Sequence, residues 1–307
     1  MVLTAVRRLP VAITDRPVLA AVAGAGCIAS SATLVRLADT EPATAATFRC
    51  LYALPVLALL MVREDRRFGV RSGHDRRLAA AAGVFFGLDL LLWHHAIAAV
   101  GAGIATVLGN LQVVFVGLLA WWLLGERPGA RLIAAVPVVL AGVVLISGVV
   151  GSGAYGADPV LGVVFGVGTS IAYAGFLLLL RHGSRDLRRA SGPLFDATAV
   201  ATLVCVGLGP LAGGVDLVPA WPSHGWLVVL ALTSQVLGWL LIAVSLPRVP
   251  AALTSVILLL QPVASVLLAA LVLDERPSRM QLVGCLIVLA GVVGATAGRR
   301  TRVDSTV

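Results

Sequence analysis

Long apolar stretches separated by short polar segments run along nearly the whole chain. Each stretch is about 20 residues long, enough to cross a hydrocarbon core of roughly 30 Å as a helix. The pattern therefore predicts an all-α integral membrane protein with ten transmembrane helices and no soluble domain. The predicted spans, numbered 1 to 10, are residues 18–38, 43–62, 78–99, 101–124, 131–150, 159–180, 194–212, 225–246, 250–273 and 278–298.

The composition of the 307 residues agrees with a membrane protein. Only 12% of them are charged and the mean hydropathy is +1.00, whereas about 25% of the residues of soluble domains are charged. The net charge of +8 does not indicate a nucleic-acid partner, because all 23 basic residues are arginines that lie mostly at the ends of apolar stretches. We expect the lipid bilayer and a small-molecule substrate as partners, no nucleic acid, and leave a homodimer open.

The four cysteines each lie inside an apolar stretch, with a spacing that fits neither a metal site nor a set of disulfides. We interpret them as small packing residues. The sequence also contains no phosphate-binding loop and no catalytic serine, histidine and aspartate set. It therefore predicts no metal, no cofactor and no enzymatic activity.

The arginines also predict the orientation. If the N-terminus is cytoplasmic and the spans alternate, 19 arginines fall on the inner side and only Arg276 and Arg279 fall outside. Cytoplasmic loops of membrane proteins carry such an excess of basic residues. We therefore expect a multi-pass protein of the inner (plasma) membrane with both termini in the cytoplasm.

One half of the chain repeats the other at an offset of 149 residues. The sequence Gly-Glu-Arg-Pro at 125–128 recurs as Asp-Glu-Arg-Pro at 274–277. Without a gap, residues 101–144 match residues 250–293 at 18 of 44 positions. Apolar composition alone does not produce a polar triplet in register, so the repeat indicates two homologous halves.

The odd number of spans in each half determines how the halves are related. With five spans each, the second half enters the membrane in the opposite sense, so Glu126 faces the cytoplasm and Glu275 faces outward. This predicts two inverted five-helix repeats at residues 18–150 and 159–298. Inverted repeats are typical of secondary transporters that work by alternating access.

Ten spans, two halves and a Gly-Glu-x-Pro-like motif that closes the fourth span of each half resemble the drug/metabolite transporter superfamily, specifically its EamA-type permeases. The resemblance covers about residues 18–298 and departs from the pattern at Asp274, which stands where the first half has Gly125. It implies a helical basket with a central substrate cavity, lined mostly by spans 1, 3, 4, 6, 8 and 9, with spans 5 and 10 peripheral. It also implies an architectural role for the arginine in span 2, Arg49, at least as much as a role in substrate binding.

Charged side chains at bilayer depth are costly and therefore mark functional sites. Asp89 is the only acidic residue well inside a predicted span, and it could couple a proton or bind a substrate amine, or be a structural carboxyl group. Trp93 lies four residues further on the same helical face. Arg49 could bind a substrate carboxylate, pair with Asp89, or extend toward the polar residues that precede span 2.

His94 is a second candidate for proton coupling. At 100° per residue it points about 140° away from Asp89 on the same helix. A hydrogen bond between helices is the alternative role for such a histidine.

Amide side chains form a predicted layer near the middle of the membrane. Asn110, Gln235 and Gln261 fall at that depth, and Gln112 lies just beyond it. Gln112 and Gln261 are equivalent positions of the repeat, and Trp239 follows Gln235 by four residues, so we expect that pair to share a face. We predict that these five residues, together with Arg49, Asp89 and Trp93, line the substrate site.

The sequence thus predicts an inner-membrane secondary transporter that moves a small organic metabolite, such as an amino acid, outward by alternating access. Two alternatives stay open. One is a polyspecific drug efflux transporter, and the other is a membrane scaffold that transports nothing.

Overall fold

The structure, a computed structural model, describes residues 16–125, 129–150, 153–183, 186, 188–218, 220–245, 248–249 and 251–296. These residues are mostly helical, and none of them lies in a strand. The α-helices are α1 Pro17–Ala29, α2 Ser31–Ala38, α3 Pro42–Phe68, α4 Gly73–Val100, α5 Ala102–Gly109, α6 Gln112–Leu124, α7 Ala130–Ile146, α8 Pro159–Gly183, α9 Ser191–Leu208, α10 Ser223–Leu230, α11 Trp239–Ser245, α12 Ala251–Val272 and α13 Arg279–Thr296.

The predicted multi-pass membrane architecture is confirmed. Seven helical stretches in the described part of the chain are long and apolar enough to cross a membrane. They correspond to predicted spans 1 to 4 and 6 to 8. Spans 5, 9 and 10 contain apolar helical segments that are shorter than these seven stretches: Ala130–Ile146, Leu260–Val272 and Arg279–Ala295. Helices α3 and α4 extend past the predicted ends of their spans, because the charged residues between 63 and 77 continue each helix beyond its apolar stretch.

Three predicted spans are interrupted rather than continuous. Span 1 breaks at Ser30, between α1 and α2, and span 4 breaks at Asn110, between α5 and α6. In span 8 a π-helical segment, Ala231–Gly238, joins α10 to α11. Interruptions of this kind inside a membrane occur where neighbouring helices or a cavity satisfy the backbone.

Glycine and proline explain only one of these breaks. Glycine and proline disfavour helix interiors, so the sequence predicts broken or thinned helices at Gly109, Gly117 and Pro262. Gly109 does precede the break in span 4, where the Asn110 N–H donates to the Val107 carbonyl at 3.1 Å in a tighter turn. Gly117 and Pro262 lie inside the continuous helices α6 and α12.

Small residues allow the helices to approach closely. A Cβ atom on Gly166 of α8 would lie 2.7 Å from the Leu108 Cβ, and one on Gly142 of α7 would lie 2.8 Å from the Gly284 carbonyl oxygen of α13. Helices α7 and α13 pack mainly against each other, which leaves the centre of the bundle to the remaining helices.

At one end of the bundle, ion pairs join the two halves of the chain. We call this the arginine-rich end; it comprises residues 63–77 and the described residues of 181–191. Arg71 forms an ion pair of 2.7 Å with Asp196. The Glu64 carboxylate, at the end of α3, accepts hydrogen bonds of 2.9 Å from each of the first two backbone N–H groups of α9.

A second glutamate joins the halves at the opposite end. The Glu275 carboxylate accepts hydrogen bonds from the backbone N–H groups of Ala102 (2.7 Å) and Gly103 (3.2 Å), the first residues of α5. A negative charge at a helix N-terminus is favourable, because it satisfies unpaired N–H groups and complements the helix dipole. The second copy of the repeated motif therefore caps a helix of the first half. The first copy, at 126–128, lies outside the described residues.

Replacing Glu275 with alanine is expected to lower the free energy of unfolding by about 2–4 kcal/mol, because two buried N–H groups lose a charged acceptor. Glu275 is only 3% exposed, so water cannot easily replace the carboxylate. The measurement is the thermal melting midpoint in detergent. Glu41 is the matched control: it precedes α3, is exposed and makes no capping bond with its side chain. Equal melting midpoints for both alanine variants would contradict the assignment.

Candidate functional site

A cavity of about 100 Å³ lies among helices from seven of the ten predicted spans, and we call it the central cavity. Its walls come from spans 1, 2, 3, 4, 6, 8 and 9. These are the spans that the resemblance implied, with the addition of span 2, which contributes Arg49. The lining residues are Ile28, Ser31, Arg49, Phe86, Asp89, Leu90, Trp93, Thr106, Gly109, Asn110, Gln112, Thr169, Tyr173, Trp239 and Gln261.

Arg49 is held in place by a chain of buried amide and hydroxyl groups. Its Nη2 donates to the Gln235 Oε1 at 3.1 Å, and the Gln235 Nε2 donates to the Thr198 Oγ1 at 3.2 Å. The guanidinium carbon lies 5.7 Å from the ring centroid of Trp93, within the range of a cation–π contact. Arg49 is 4% exposed. Its side chain therefore does not extend toward the membrane surface in this structure.

Asp89 brings a carboxyl group into the same cavity. It is 7% exposed, and in the described part of the chain no ion pair joins it to Arg49. Its backbone carbonyl accepts a hydrogen bond of 3.3 Å from the Thr169 hydroxyl of α8, which fixes α4 against α8 at this level. Two groups able to carry opposite charges thus line one cavity without a direct ion pair between them.

The amides of the repeat meet at this cavity. Gln112 and Gln261, equivalent positions of the two halves, both line it. Asn110 lies at the break between α5 and α6, and its Nδ2 donates back to the Thr106 carbonyl at 2.9 Å. The Ser265 hydroxyl of α12 donates to the Thr106 Oγ1 at 2.9 Å, which connects the two symmetry-related spans beside the cavity.

An aromatic cluster forms another wall. Phe86 stacks on Phe176 with ring centroids 4.5 Å apart, and Tyr173 lies 5.9 Å from Phe176. Trp239 meets these three rings edge to face. Together with Trp93, the cluster gives the cavity a large apolar surface beside its polar groups.

Two predicted site residues lie outside the cavity lining. Gln235 is fully buried behind Arg49 and contacts it directly. His94 is 1% exposed, and its Nδ1 lies 2.6 Å from the Leu90 carbonyl of its own helix. The ring of His94 is in contact with Trp93, at 5.3 Å between centroids.

Sequence reasoning missed several lining residues. Thr169 and Tyr173 are polar, stand four residues apart in an apolar span and share a helical face, so a signal was available for them. Thr106 has a weaker signal, as one hydroxyl in span 4. Phe86 and Ile28 are apolar residues in apolar spans, and only the packing of the helices identifies them.

Comparisons with known proteins agree with this architecture. The sequence profile of the EamA-like transporter family matches residues 16–148 and again residues 160–297. The uncharacterized transporter YcbK of Bacillus subtilis (strain 168) is 27% identical over 272 residues, which cover 85% of this chain and 86% of YcbK. One crystal structure superposes with a TM-score of 0.59 at 17% identity, covering 92% of this chain and 96% of the other, and so supports the fold alone.

The two matches of the family profile cover most of the chain, one in each half, and fit the inverted repeat expected from the duplicated motif. Such a match indicates that the chain is a membrane transporter. The expected resemblance is confirmed: the chain belongs to the EamA-like transporter family.

Proposed function

We propose that the chain is a secondary transporter of the inner membrane with ten transmembrane spans. It would move a small zwitterionic metabolite, such as an amino acid, across the membrane by alternating access. Both termini would lie in the cytoplasm, so that the arginine-rich end faces inward. The two five-helix halves, residues 18–150 and 159–298, would open the central cavity to one side of the membrane at a time.

The observation that carries this proposal is the pair of Arg49 and Asp89 in one buried cavity without a direct ion pair. A buried charge is stable only when it is paired or hydrogen-bonded, and a solute that carries both charges can pair with both residues at once. The carboxylate of an amino acid fits the guanidinium of Arg49. Its ammonium group fits the carboxylate of Asp89.

The remaining lining supports the same class of solute. The amides of Asn110, Gln112 and Gln261 offer both donors and acceptors, and the rings of Trp93 and Trp239 offer surface for an apolar side chain. Sites for drug-sized ligands measure roughly 300–1,000 Å³, whereas this cavity measures about 100 Å³. The size favours a small metabolite over the substrates of a polyspecific drug exporter.

Exchange in proteoliposomes tests the proposal. Vesicles loaded with an unlabelled mixture of amino acids are expected to take up at least one radiolabelled neutral amino acid faster than vesicles without protein. Propionate and propylamine, which each carry one of the two charges, should compete poorly. Exchange of bulky cations such as ethidium, without exchange of amino acids, would instead identify a drug exporter, and no exchange of any solute would favour a scaffold.

The matched control for these measurements is Leu203→Ala. Leu203 is 72% exposed on α9 and does not line the central cavity. Its replacement should leave exchange at the level of the unmodified protein.

A further inference from the structure

A second cavity, of about 280 Å³, reaches from the arginine-rich end, where Arg181 and Arg189 line it, to Trp239. It is bounded by α8, α9 and α11, through residues that include Leu177, Leu180 and Leu194. Trp239 lines this cavity and the central cavity as well. A single side chain thus forms a shared wall between the two spaces.

The indole of Trp239 is held by the aromatic cluster. Its ring centroid lies 5.5 Å from that of Phe176 and 6.1 Å from those of Phe86 and Tyr173, each time at an interplanar angle of 82–89°. Edge-to-face contacts of this kind stabilise aromatic pairs beyond the effect of the area that they bury. The wall is therefore an ordered one, and opening it costs a few such contacts.

The backbone at this position is also unusual. Trp239 is the first residue of α11 and directly follows the π-helical segment Ala231–Gly238. Single-turn π segments inside α-helices occur frequently at functional sites, where the hydrogen-bond register differs from that of the rest of the helix. A change of register in this segment would move the indole relative to α8 while α10 stays in place.

The second cavity combines apolar surface with charged groups. Leucine side chains form its wall, and Arg189 and Asp186 lie on it with an ion pair of 3.4 Å. Hydrogen bonds from Arg188 lower the pKa of Asp186 to about 2, so this carboxylate is charged at neutral pH. Apolar surface and opposite charges recur here, but Arg189 and Asp186 pair with each other, whereas Arg49 and Asp89 do not.

We propose that the second cavity is a further chamber on the solute's route toward the arginine-rich end, and that Trp239 is the residue that closes the central cavity on that side. This inference rests on the proposed transport function for the identity of the solute, but the wall itself does not depend on it. The two cavities together reach the lower part of the roughly 300–1,000 Å³ range of small-molecule sites. Trp239 would therefore also limit the size of solute that fits.

Cysteine accessibility tests the wall without knowledge of the solute. The background protein carries alanine in place of Cys27, Cys50, Cys205 and Cys285. Single cysteines are then introduced as Asn110→Cys in the central cavity, Leu180→Cys in the second cavity and Val70→Cys at the arginine-rich end. Val70 is 75% exposed, so the membrane side from which a membrane-impermeant methanethiosulfonate reagent modifies it defines that end.

From that side, we expect the cysteine at position 180 to react at a rate within about tenfold of that at position 70. The cysteine at position 110 should react at least about tenfold more slowly than that at position 180, because an open minor state is populated at about 0.1–10%. Adding Trp239→Ala should raise the rate at position 110 about tenfold or more and leave the rate at position 70 unchanged. Trp239→Phe, which keeps a smaller ring in place, should give an intermediate rate.

Equal rates at positions 110 and 180 with Trp239 present would overturn the inference, as would a rate at position 110 that neither Trp239 variant changes. Failure of the transport proposal gives a different experimental result. In that case no amino acid exchanges in proteoliposomes, while the dependence of labelling on Trp239 persists.

Discussion

Replacing Arg49 with glutamine is expected to reduce amino-acid exchange at least about 30-fold, because removing one member of a buried, hydrogen-bonded set of charges costs about 2–5 kcal/mol. The substitution removes the partner for the solute carboxylate. It also leaves the Asp89 carboxyl group with no cationic side chain among the described residues that line the central cavity. The measurement is the concentration dependence of exchange in proteoliposomes. The loss should fall mainly on affinity for the solute.

An architectural role for Arg49 predicts a different pattern. If Arg49 only holds α3 against Gln235, the glutamine variant loses thermal stability, and its remaining folded fraction binds the solute as before. Arg49→Lys separates the two roles further, since lysine keeps the charge but not the planar fork that binds a carboxylate through two parallel hydrogen bonds. We expect the lysine variant to recover part of the exchange that the glutamine variant loses.

The matched control is Arg36→Gln, the same substitution at an exposed arginine of α2. Exchange by this variant should equal that of the unmodified protein. If Arg49→Gln also exchanges within about threefold of the unmodified protein, a difference below 1 kcal/mol, Arg49 does not bind the solute.

The sequence predicts much of the candidate site because two simple regularities hold. Residues four apart on an α-helix share a face, and this places Asp89 and Trp93 on the same cavity. Equivalent positions of an inverted repeat meet near the middle of the molecule, and this brings Gln112 and Gln261 together. Both regularities can be read without coordinates.

The same reasoning does not predict where Gln235 points. Four residues separate it from Trp239, and in a regular α-helix the two would share a face. The intervening π-helical segment has hydrogen bonds from residue i to i+5, so four residues fall short of a full turn. Trp239 therefore lines the cavity while Gln235 lies behind Arg49, where it bonds the guanidinium. Nothing in the residues of 231–238 marks this change of helical period.

The positions of the helix breaks in spans 1 and 4 are also not predictable from the sequence. Ser30 and Asn110 interrupt otherwise apolar helices, yet Gly117 and Pro262, residues with a weaker helical preference than either, do not. The backbone groups left unpaired at a break need partners, and whether partners exist depends on neighbouring helices. Asn110 supplies one itself, through its bond to the Thr106 carbonyl.

Replacing Asp89 with asparagine is expected to abolish accumulation of amino acid driven by a pH difference. Exchange without a gradient should also weaken at least about tenfold, because the solute ammonium loses its carboxylate partner. One coupled proton per solute gives about a tenfold accumulation per pH unit, since a pH unit corresponds to about 1.36 kcal/mol. The asparagine is nearly the same size as the aspartate but cannot release a proton, so its accumulation ratio should stay near unity at every pH difference. Among the described residues, the other titratable groups that line the cavity are Arg49 on α3 and Tyr173 on α8.

The proton and the solute ammonium are competing partners for the Asp89 carboxylate, and the experiment distinguishes them. If the unmodified protein accumulates nothing under a pH difference, while Asp89→Asn binds propionate as well as before and amino acids at least about tenfold more weakly, Asp89 binds the ammonium and carries no coupled proton. Asp216→Asn, the same substitution at an exposed loop position, should change neither quantity. If both proteins accumulate amino acid to the same ratio above unity, Asp89 does not couple a proton, and if both bind amino acids equally well, Asp89 does not bind the ammonium. Among the described residues that line the central cavity, no other acidic side chain could take over either role.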